Sequence, residues 1–449
     1  MKRKPALRLH LAGTLLSLFL LSVTFGSCSK DAAVLEPSRT AAGSRGLPHA
    51  DAPISSDLEP VPNEAVVTLA PGAALNDYLT AKQVDLVSTL ALPAAGSTPA
   101  ATYYLIRTKD GTPITLSTLA SGAGTVSPHN RIGKGDRGGE SFDDHDTWRL
   151  GGAYYAQPAI PKVKIPQARA VTEGLNEVIA ILDTGIDPNH PLFAPNITHI
   201  NLVENYTVLP PVEGAMESRN MQDDDLDGVV DGGFGHGTHV AGIVFTGARK
   251  ATLLIYKVLD DEGRGTAFGL AEAIKAAADH GAHVINLSLR LDVDDVEVHH
   301  AIDYAAGLGI AVVASAGNRD WQEPQYPAAY DGVISVTAVD KDDVKAKFAN
   351  FGSTVDISAP GVEIISTIPG YYGAGKYAIA SGGSMATAFV SAAVALAHAH
   401  QPSWTPQQAA AHVVAHTVDI SAQNPTFPSS LGSGRVNFLE SVMGTILVE

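Results

Sequence analysis

The chain has 449 residues, 45% of them hydrophobic, enough to bury one large core and one small domain. Its formal net charge is −17, with no basic stripe to offset 47 acidic side chains, which excludes nucleic acid as a partner. Cys28 is the only cysteine, so no disulfide can staple the fold.

In chain order, Lys2, Arg3, Lys4 and Arg8 precede the apolar run Leu11–Phe25. That is the pattern of a secretory signal, and at about fifteen residues it is short for a membrane span. Gly26-Ser27-Cys28 follows, and the stretch resembles a bacterial lipoprotein signal. Cys28 would then be the acylated N-terminus and the sole membrane attachment; a plain signal peptide cut nearby is the alternative. No second apolar span occurs in the sequence. Residues 29–60, rich in Ala, Ser, Pro and Asp, read as a flexible tether. Residues 61–132 have the pattern of a small α+β domain. It consists of a strand at Ala65–Leu69, a Pro71-Gly72 turn, a helix at Ala73–Lys82 and a strand at Thr102–Ile106. Residues 133–150 are rich in Gly, Asp and Glu and read as a linker suited to self-cleavage.

Residues 151–449 form the large domain. Strand-like apolar runs at Val178–Leu182, Ala251–Leu259, His283–Leu289, Ile310–Ala314 and Val333–Val339 alternate with helical patterns. Ala267–His280 stops at Gly281, and Asp294–Leu308 stops at Gly309. Thr405-Pro406 caps a helix over Gln407–His416. The alternation predicts an α/β fold, a parallel sheet covered by helices on both faces and preceded by the small α+β domain.

Three segments of this domain carry chemistry. Val178–Leu182 stops at Asp183-Thr184-Gly185, where an open parallel sheet gathers catalytic groups. His236 lies in Gly235-His236-Gly237-Thr238-His239, opening a helix that runs through Phe245. Ser384, in Ser381-Gly382-Gly383-Ser384-Met385-Ala386, precedes the apolar stretch Met385–His400, which reads as a buried helix. A serine hydroxyl needs a base within hydrogen-bond reach, and that base needs its tautomer fixed by a third group. A serine at a helix N-terminus also sits beside unpaired N–H groups able to hold an oxyanion. Single motifs leave other readings. His-Gly-Thr-His could be a metal pair, but the glutamate of H-E-x-x-H is missing; Asp-Thr-Gly is shared with aspartic peptidases, but no second copy occurs. The Ser384 segment is not the G-x-S-x-G elbow, whose triad would also run Ser, Asp, His. Asn318, at the end of Ile310–Gly317, reads by composition as a turn asparagine.

Asp183, His236 and Ser384, in that chain order, resemble the subtilisin-like serine peptidases. The likeness extends from about Gln157 to Asn437 and includes Tyr326-Pro327-Ala328, Ser358-Ala359-Pro360-Gly361 and Gly434-Arg435-Val436-Asn437. The resemblance implies a serine endopeptidase working through an acyl-enzyme on polypeptide substrates. Ala316-Gly317-Asn318 then matches the family's oxyanion-hole motif, with Gly317 beside the substrate. Gly263-Arg264-Gly265-Thr266 and Ser288-Leu289-Arg290 match the two segments whose backbone pairs with an extended peptide. Arg290 stands where the family usually has glycine; it narrows the primary pocket or favours an acidic side chain in it, or else reaches to solvent. Gly383 replaces a usual threonine and Ala388 a usual proline. The resemblance also implies that residues 61–132 are an inhibitory propeptide, the chain's own intramolecular partner, whose C-terminal end blocks the cleft. Cleavage near residues 130–150 would leave a lipid anchor on the propeptide and release the peptidase. The few residues after Asn437 suggest no C-terminal sorting or carbohydrate-binding domain. The rival reading is a catalytically silent surface protein that binds extended peptides in the same cleft.

The cluster Asp223-Asp224-Asp225-Leu226-Asp227-Gly228-Val229-Val230-Asp231 has the D-x-D-x-D-G spacing of a calcium loop. Asp223, Asp225 and Asp227 take positions one, three and five, and Asp231 takes position nine. Position twelve is Phe234, so the usual bidentate glutamate is missing. The alternatives are a structural Ca²⁺ site of modest affinity and a solvated acidic loop.

Overall fold

The computed structural model describes residues 58–134, 147–207, 212–224, 228–370 and 377–444. The signal, Cys28, most of the tether, the region 135–146 and the predicted ligands Asp225 and Asp227 lie outside the described residues.

The small N-terminal unit contains β1 (Glu64–Leu69), α1 (Leu75–Lys82), β2 (Val84–Leu92), β3 (Ala101–Thr108), the short α2 (Leu116–Leu119) and β4 (Ala123–Pro128). Its sheet has the order β2-β3-β1-β4, with every pair antiparallel. Alternation along β1 sends Ala65 and Val67 to a core with Tyr78, Ile106 and Leu119. Val66 points the other way and joins Leu105, Leu90 and Leu92 in a core shared with the large domain. β5 (Arg131–Lys134) follows at once. Residues 133 and 134, expected in the linker, belong to this strand, and the expected boundary at residue 150 falls inside α3 (Thr147–Ala156).

Short helices α4 (Ala159–Lys162) and α5 (Ile165–Arg169) lead to β6 (Val178–Asp183), β7 (Ile200–Asn205) and β8 (Val212–Glu213). Next come α6 (His236–Gly247), β9 (Thr252–Lys257), β10 (Arg264–Thr266), α7 (Ala267–Asp279), β11 (Val284–Leu287), β12 (Leu289–Arg290) and α8 (Val296–Gly307). The chain continues through β13 (Ala311–Ser315), β14 (Val333–Val339), β15 (Ile357–Pro360), β16 (Ile364–Thr367), β17 (Tyr377–Ala380), α9 (Gly383–His400), α10 (Pro406–Ala415) and α11 (Phe438–Met443). Thr405 caps α10 as its sequence predicts, and Gln408 completes a capping box with it.

The central sheet has the order β15-β14-β13-β11-β6-β9-β7-β8. All neighbours are parallel except β7 and β8. Because helices cover both faces, alternate residues of one strand enter different cores. Ile179 and Ile181 of β6 pack with Val240, Val244 and Phe389 from α6 and α9. Ala180 and Leu182 pack with Leu270, Ile274 and Ile302 from α7 and α8. Each fully buried side chain of that size contributes about 1.5–3 kcal/mol. The sheet is therefore a rigid platform whose carboxyl edge can hold side chains in fixed positions.

Candidate active site

Asp183 is the last residue of β6, and His236 is the first residue of α6. The His236 Nδ1–H donates to Asp183 Oδ1 at 2.6 Å, and the Thr184 amide donates to the same oxygen at 2.7 Å. An ionised carboxylate only accepts, so Nδ1 carries the ring proton and Nε2 presents the lone pair. Both side chains are buried. His239, the second histidine of the motif, turns instead to the Ala378 carbonyl at 3.3 Å. The two rings therefore serve different partners, against a shared metal.

Glu217, which the sequence patterns did not single out, braces this pair from below. Its carboxylate accepts from Thr184 Oγ1 at 2.5 Å, from the Gly235 amide at 2.6 Å and from Thr238 Oγ1. Those three residues flank Asp183 and His236, so one carboxylate ties together the two segments that carry them. Burial pushes its pKa up to about 7, partly offset by the Thr184 and Thr238 hydroxyls.

Ser384 lies in the first turn of α9, which begins two residues earlier than expected, at Gly383. Its Oγ donates to the Ser288 carbonyl at 3.4 Å, and Ser288 Oγ donates to the Ser384 carbonyl at 3.1 Å. β11 runs beside β6 with Leu287 opposite Leu182, so Ser288 follows level with Asp183. That register brings the Ser384 hydroxyl to the edge of the sheet where the carboxylate and imidazole meet. Asn318 approaches from β13. Its Oδ1 accepts from the Gly383 amide at 2.8 Å, and a backbone N–H can only donate, which fixes the orientation of the side-chain amide. Nδ2 then points away, buried and without a hydrogen-bond partner among the described residues. Gly317 holds this turn at φ +107°, where a Cβ would lie 2.4 Å from Asn350 Nδ2. Gly383 has its own steric reason: a Cβ there would sit 2.4 Å from Ser315 Oγ. The serine on β13 occupies the space that a side chain at position 383 would need. Ala388 is fully buried within α9.

β5 runs antiparallel between β10 and β12. Gly265 faces Ile132, Leu289 faces Lys134 and Arg290 faces Gly133. The Lys134 amide also donates to the Gly263 carbonyl at 2.8 Å. The two segments predicted to pair with an extended peptide therefore do so with the chain's own residues 131–134. Arg290 does not reach solvent; it is 2% exposed, and its guanidinium pairs with Asp292. Asp292 also accepts from Arg319 Nη1 at 3.1 Å, so one carboxylate is shared by two cations.

Of the acidic loop, Asp223, Asp224 and Asp231 are described. Asp223 Oδ2 accepts from the Gly228 amide at 2.9 Å, closing the loop from its first position to its glycine. Asp231 turns inward and accepts from the amides of Asn220 and Met221. It shapes the loop from within.

A model of the Subtilase family matches residues 174–434. Thermitase of Thermoactinomyces vulgaris is 36% identical over 291 residues, 63% of this chain and 94% of its own. Subtilisin BL of Lederbergia lenta is 33% identical over 289 residues, 62% of this chain and 95% of its own. Fervidolysin from Fervidobacterium pennivorans, a keratinolytic enzyme related to subtilisin, shares the fold with a TM-score of 0.66 at 22% identity. That match covers 87% of this chain, which spans 62% of the fervidolysin chain.

Proposed function

This chain belongs to the subtilase family and is a serine endopeptidase acting on polypeptides, and on that premise we propose the roles of its residues. Ser384 Oγ attacks the peptide carbonyl, and its proton passes to His236 Nε2 as the Oγ–C bond forms. Asp183 keeps the Nδ1 tautomer and stabilises the imidazolium. Asn318 Nδ2 and the Ser384 amide donate to the tetrahedral oxyanion. His236 then returns the proton to the leaving amine as the C–N bond breaks, and water repeats the sequence to free Ser384. The observation that carries this reading is the 2.6 Å Asp183–His236 contact beside the buried Asn318 amide, whose donors face away from Gly383.

Residues 61–132 act as an inhibitory propeptide, and β5 occupies the substrate slot ahead of any other peptide. Support comes from its antiparallel pairing with both β10 and β12, which is peptide recognition by strand addition. Gly263, Gly265, Ser288, Leu289, Arg290 and Gly317 line the path of the substrate. With Arg290 held against Asp292, which Arg319 also shares, the pocket is narrowed by a paired guanidinium and favours small residues before the cut. The basic start and the apolar run Leu11–Phe25 direct export, Cys28 carries a lipid, and cleavage within residues 133–150 releases the peptidase from it. Asp223, Asp225 and Asp227 are the residues that would hold a calcium ion, with Asp231 setting the loop around them. The closed Asp223–Gly228 contact fits a cation loop, and the bound ion would relieve repulsion among the carboxylates.

Comparison of the wild-type chain with Ser384→Ala tests this reading. The wild type should yield a product whose N-terminus lies within residues 133–150, while the variant stays full length and turnover of a chromogenic peptide falls by at least about 10⁴-fold. Equal processing in both would refute self-cleavage by Ser384. A processed enzyme that still fractionates with membranes would refute release.

A further inference from the structure

At the amino end of the sheet, opposite the edge that carries the catalytic motifs, three side chains converge. Glu177 precedes β6, His283 precedes β11, and His398 lies in the last turn of α9. His283 Nδ1 is 2.9 Å from Glu177 Oε2; His398 Nδ1 is 2.9 Å from the same oxygen and 3.1 Å from Oε1. One ligand atom from each lies within 4.8 Å of the others. The imidazole rings meet at 73° with centroids 4.8 Å apart.

The hydrogen bonds fix the ring chemistry. His398 Nε2 is 3.1 Å from the Trp404 carbonyl, which only accepts, so Nε2 carries a proton. Nδ1 of a neutral ring then aims a lone pair at Glu177, acceptor against acceptor, so either a second ring proton or a metal ion lies between them. His283 aims its own Nδ1 at the same carboxylate oxygen. Protons satisfy both contacts with one imidazolium, at His398, and a neutral His283 donating through Nδ1 to a carboxylate that is 4% exposed; a metal ion satisfies them with both rings neutral.

We propose that Glu177, His283 and His398 form a binding site for a divalent transition-metal ion of the zinc class, acting as a structural clamp. Two imidazole nitrogens and one carboxylate oxygen are a zinc donor set, whereas calcium takes oxygen ligands. Tetrahedral zinc bonds of 2.0–2.1 Å would set ligand atoms about 3.3 Å apart, close to the distances already present. The Trp404 carbonyl supplies the outer contact that orients a ligating histidine. Backbone bonds hold the ligands in place: the Glu177 amide donates to Gly174 at 3.1 Å, and the His283 amide donates to Val178 at 2.8 Å. His283 is 33% exposed, which gives an ion a route in and leaves a fourth position for water. The bound ion would tie two adjacent strands to the far end of the helix whose first turn carries Ser384.

The test uses the full chain carrying Ser384→Ala, so that self-cleavage cannot intervene, stripped with a chelator and titrated with zinc chloride by calorimetry. One equivalent should bind, raise the melting temperature and leave the isotherm unchanged in excess calcium; cobalt(II) should give the visible bands of a tetrahedral site. His283→Ala, at the exposed edge, should weaken zinc binding by more than about 100-fold and abolish the melting response. Glu177→Gln should do the same. Zinc binding equally tight in both variants would overturn the proposal, as would a parent chain whose melting temperature does not respond to zinc.

Discussion

The two ends of the central sheet use the same kinds of side chain in different arrangements. At the carboxyl end one carboxylate holds one imidazole at 2.6 Å, on the edge of the sheet that also carries a helix N-terminus and a buried amide donor. At the amino end one carboxylate faces two imidazoles, and the second nitrogen of His398 is committed to a carbonyl. The contact between acid and imidazole therefore does not define the chemistry. What the other nitrogen faces, and whether a nucleophile and anion donors stand beside it, does.

Changes at the carboxyl end should break this contrast most severely. Asp183→Asn leaves the fold in place but favours the wrong tautomer of His236, and kcat should fall by about 10⁴-fold in steady-state hydrolysis of a chromogenic peptide. A loss under tenfold would erase the distinction between the two ends. Asn318→Ala removes one oxyanion donor and should lower kcat by about 10²–10³-fold with little change in KM, a magnitude measured on a family member rather than on this chain. An effect confined to KM would mean that the amide binds substrate without favouring the transition state.

A smaller effect should come from the brace beneath the pair. Burial raises the Glu217 pKa to about 7, so the folded state holds a proton that the unfolded state releases near 4.5. That contribution to stability is fully present below about pH 4.5 and is lost as pH rises through about 7, up to about 3 kcal/mol in all. Glu217→Gln keeps the neutral hydrogen-bonding form and should flatten melting temperature against pH over that range. Smallest of all, Gly383→Thr should cost about 1–3 kcal/mol through its clash with Ser315 Oγ. Adding Ser315→Ala should restore part of the loss in a double-mutant cycle. Additive effects in that cycle would mean that the two positions do not share the space.

The catalytic candidates were legible in the sequence because each sits in a short local motif at the end of a periodic element. Asp183 ends an apolar run, His236 is flanked by glycines at the start of an apolar helix, and Asn318 closes a Gly-Asn turn. Contacts made over long separations were not legible. Glu217 reaches Thr184 across 33 residues through an isolated bridge between Ile186 and Met216. Glu177 meets His283 and His398 across separations of 106 and 221 residues, with no spacing rule to connect them. Arg131–Lys134 is too short, and too rich in Gly and Lys, to read as a strand. It becomes one only because β10 and β12 supply partners on both sides. The Asp292 partner of Arg290 was within reach, two residues along the same segment, but its acceptance from Arg319 as well depends on the fold.

On the proposed reading of β5 as the occupant of the substrate slot, its hold on the groove is a matter of tethering. While Lys134 remains joined to the domain that follows, the strand competes at an effective concentration in the millimolar range, so even weak pairing outcompetes dissolved peptides. Once that connection is cut, the same pairing becomes an ordinary bimolecular equilibrium, held only by the remaining contacts of the small sheet. Latency would then wane with dilution, and an enzyme dispersed into a large volume would wake without any further signal.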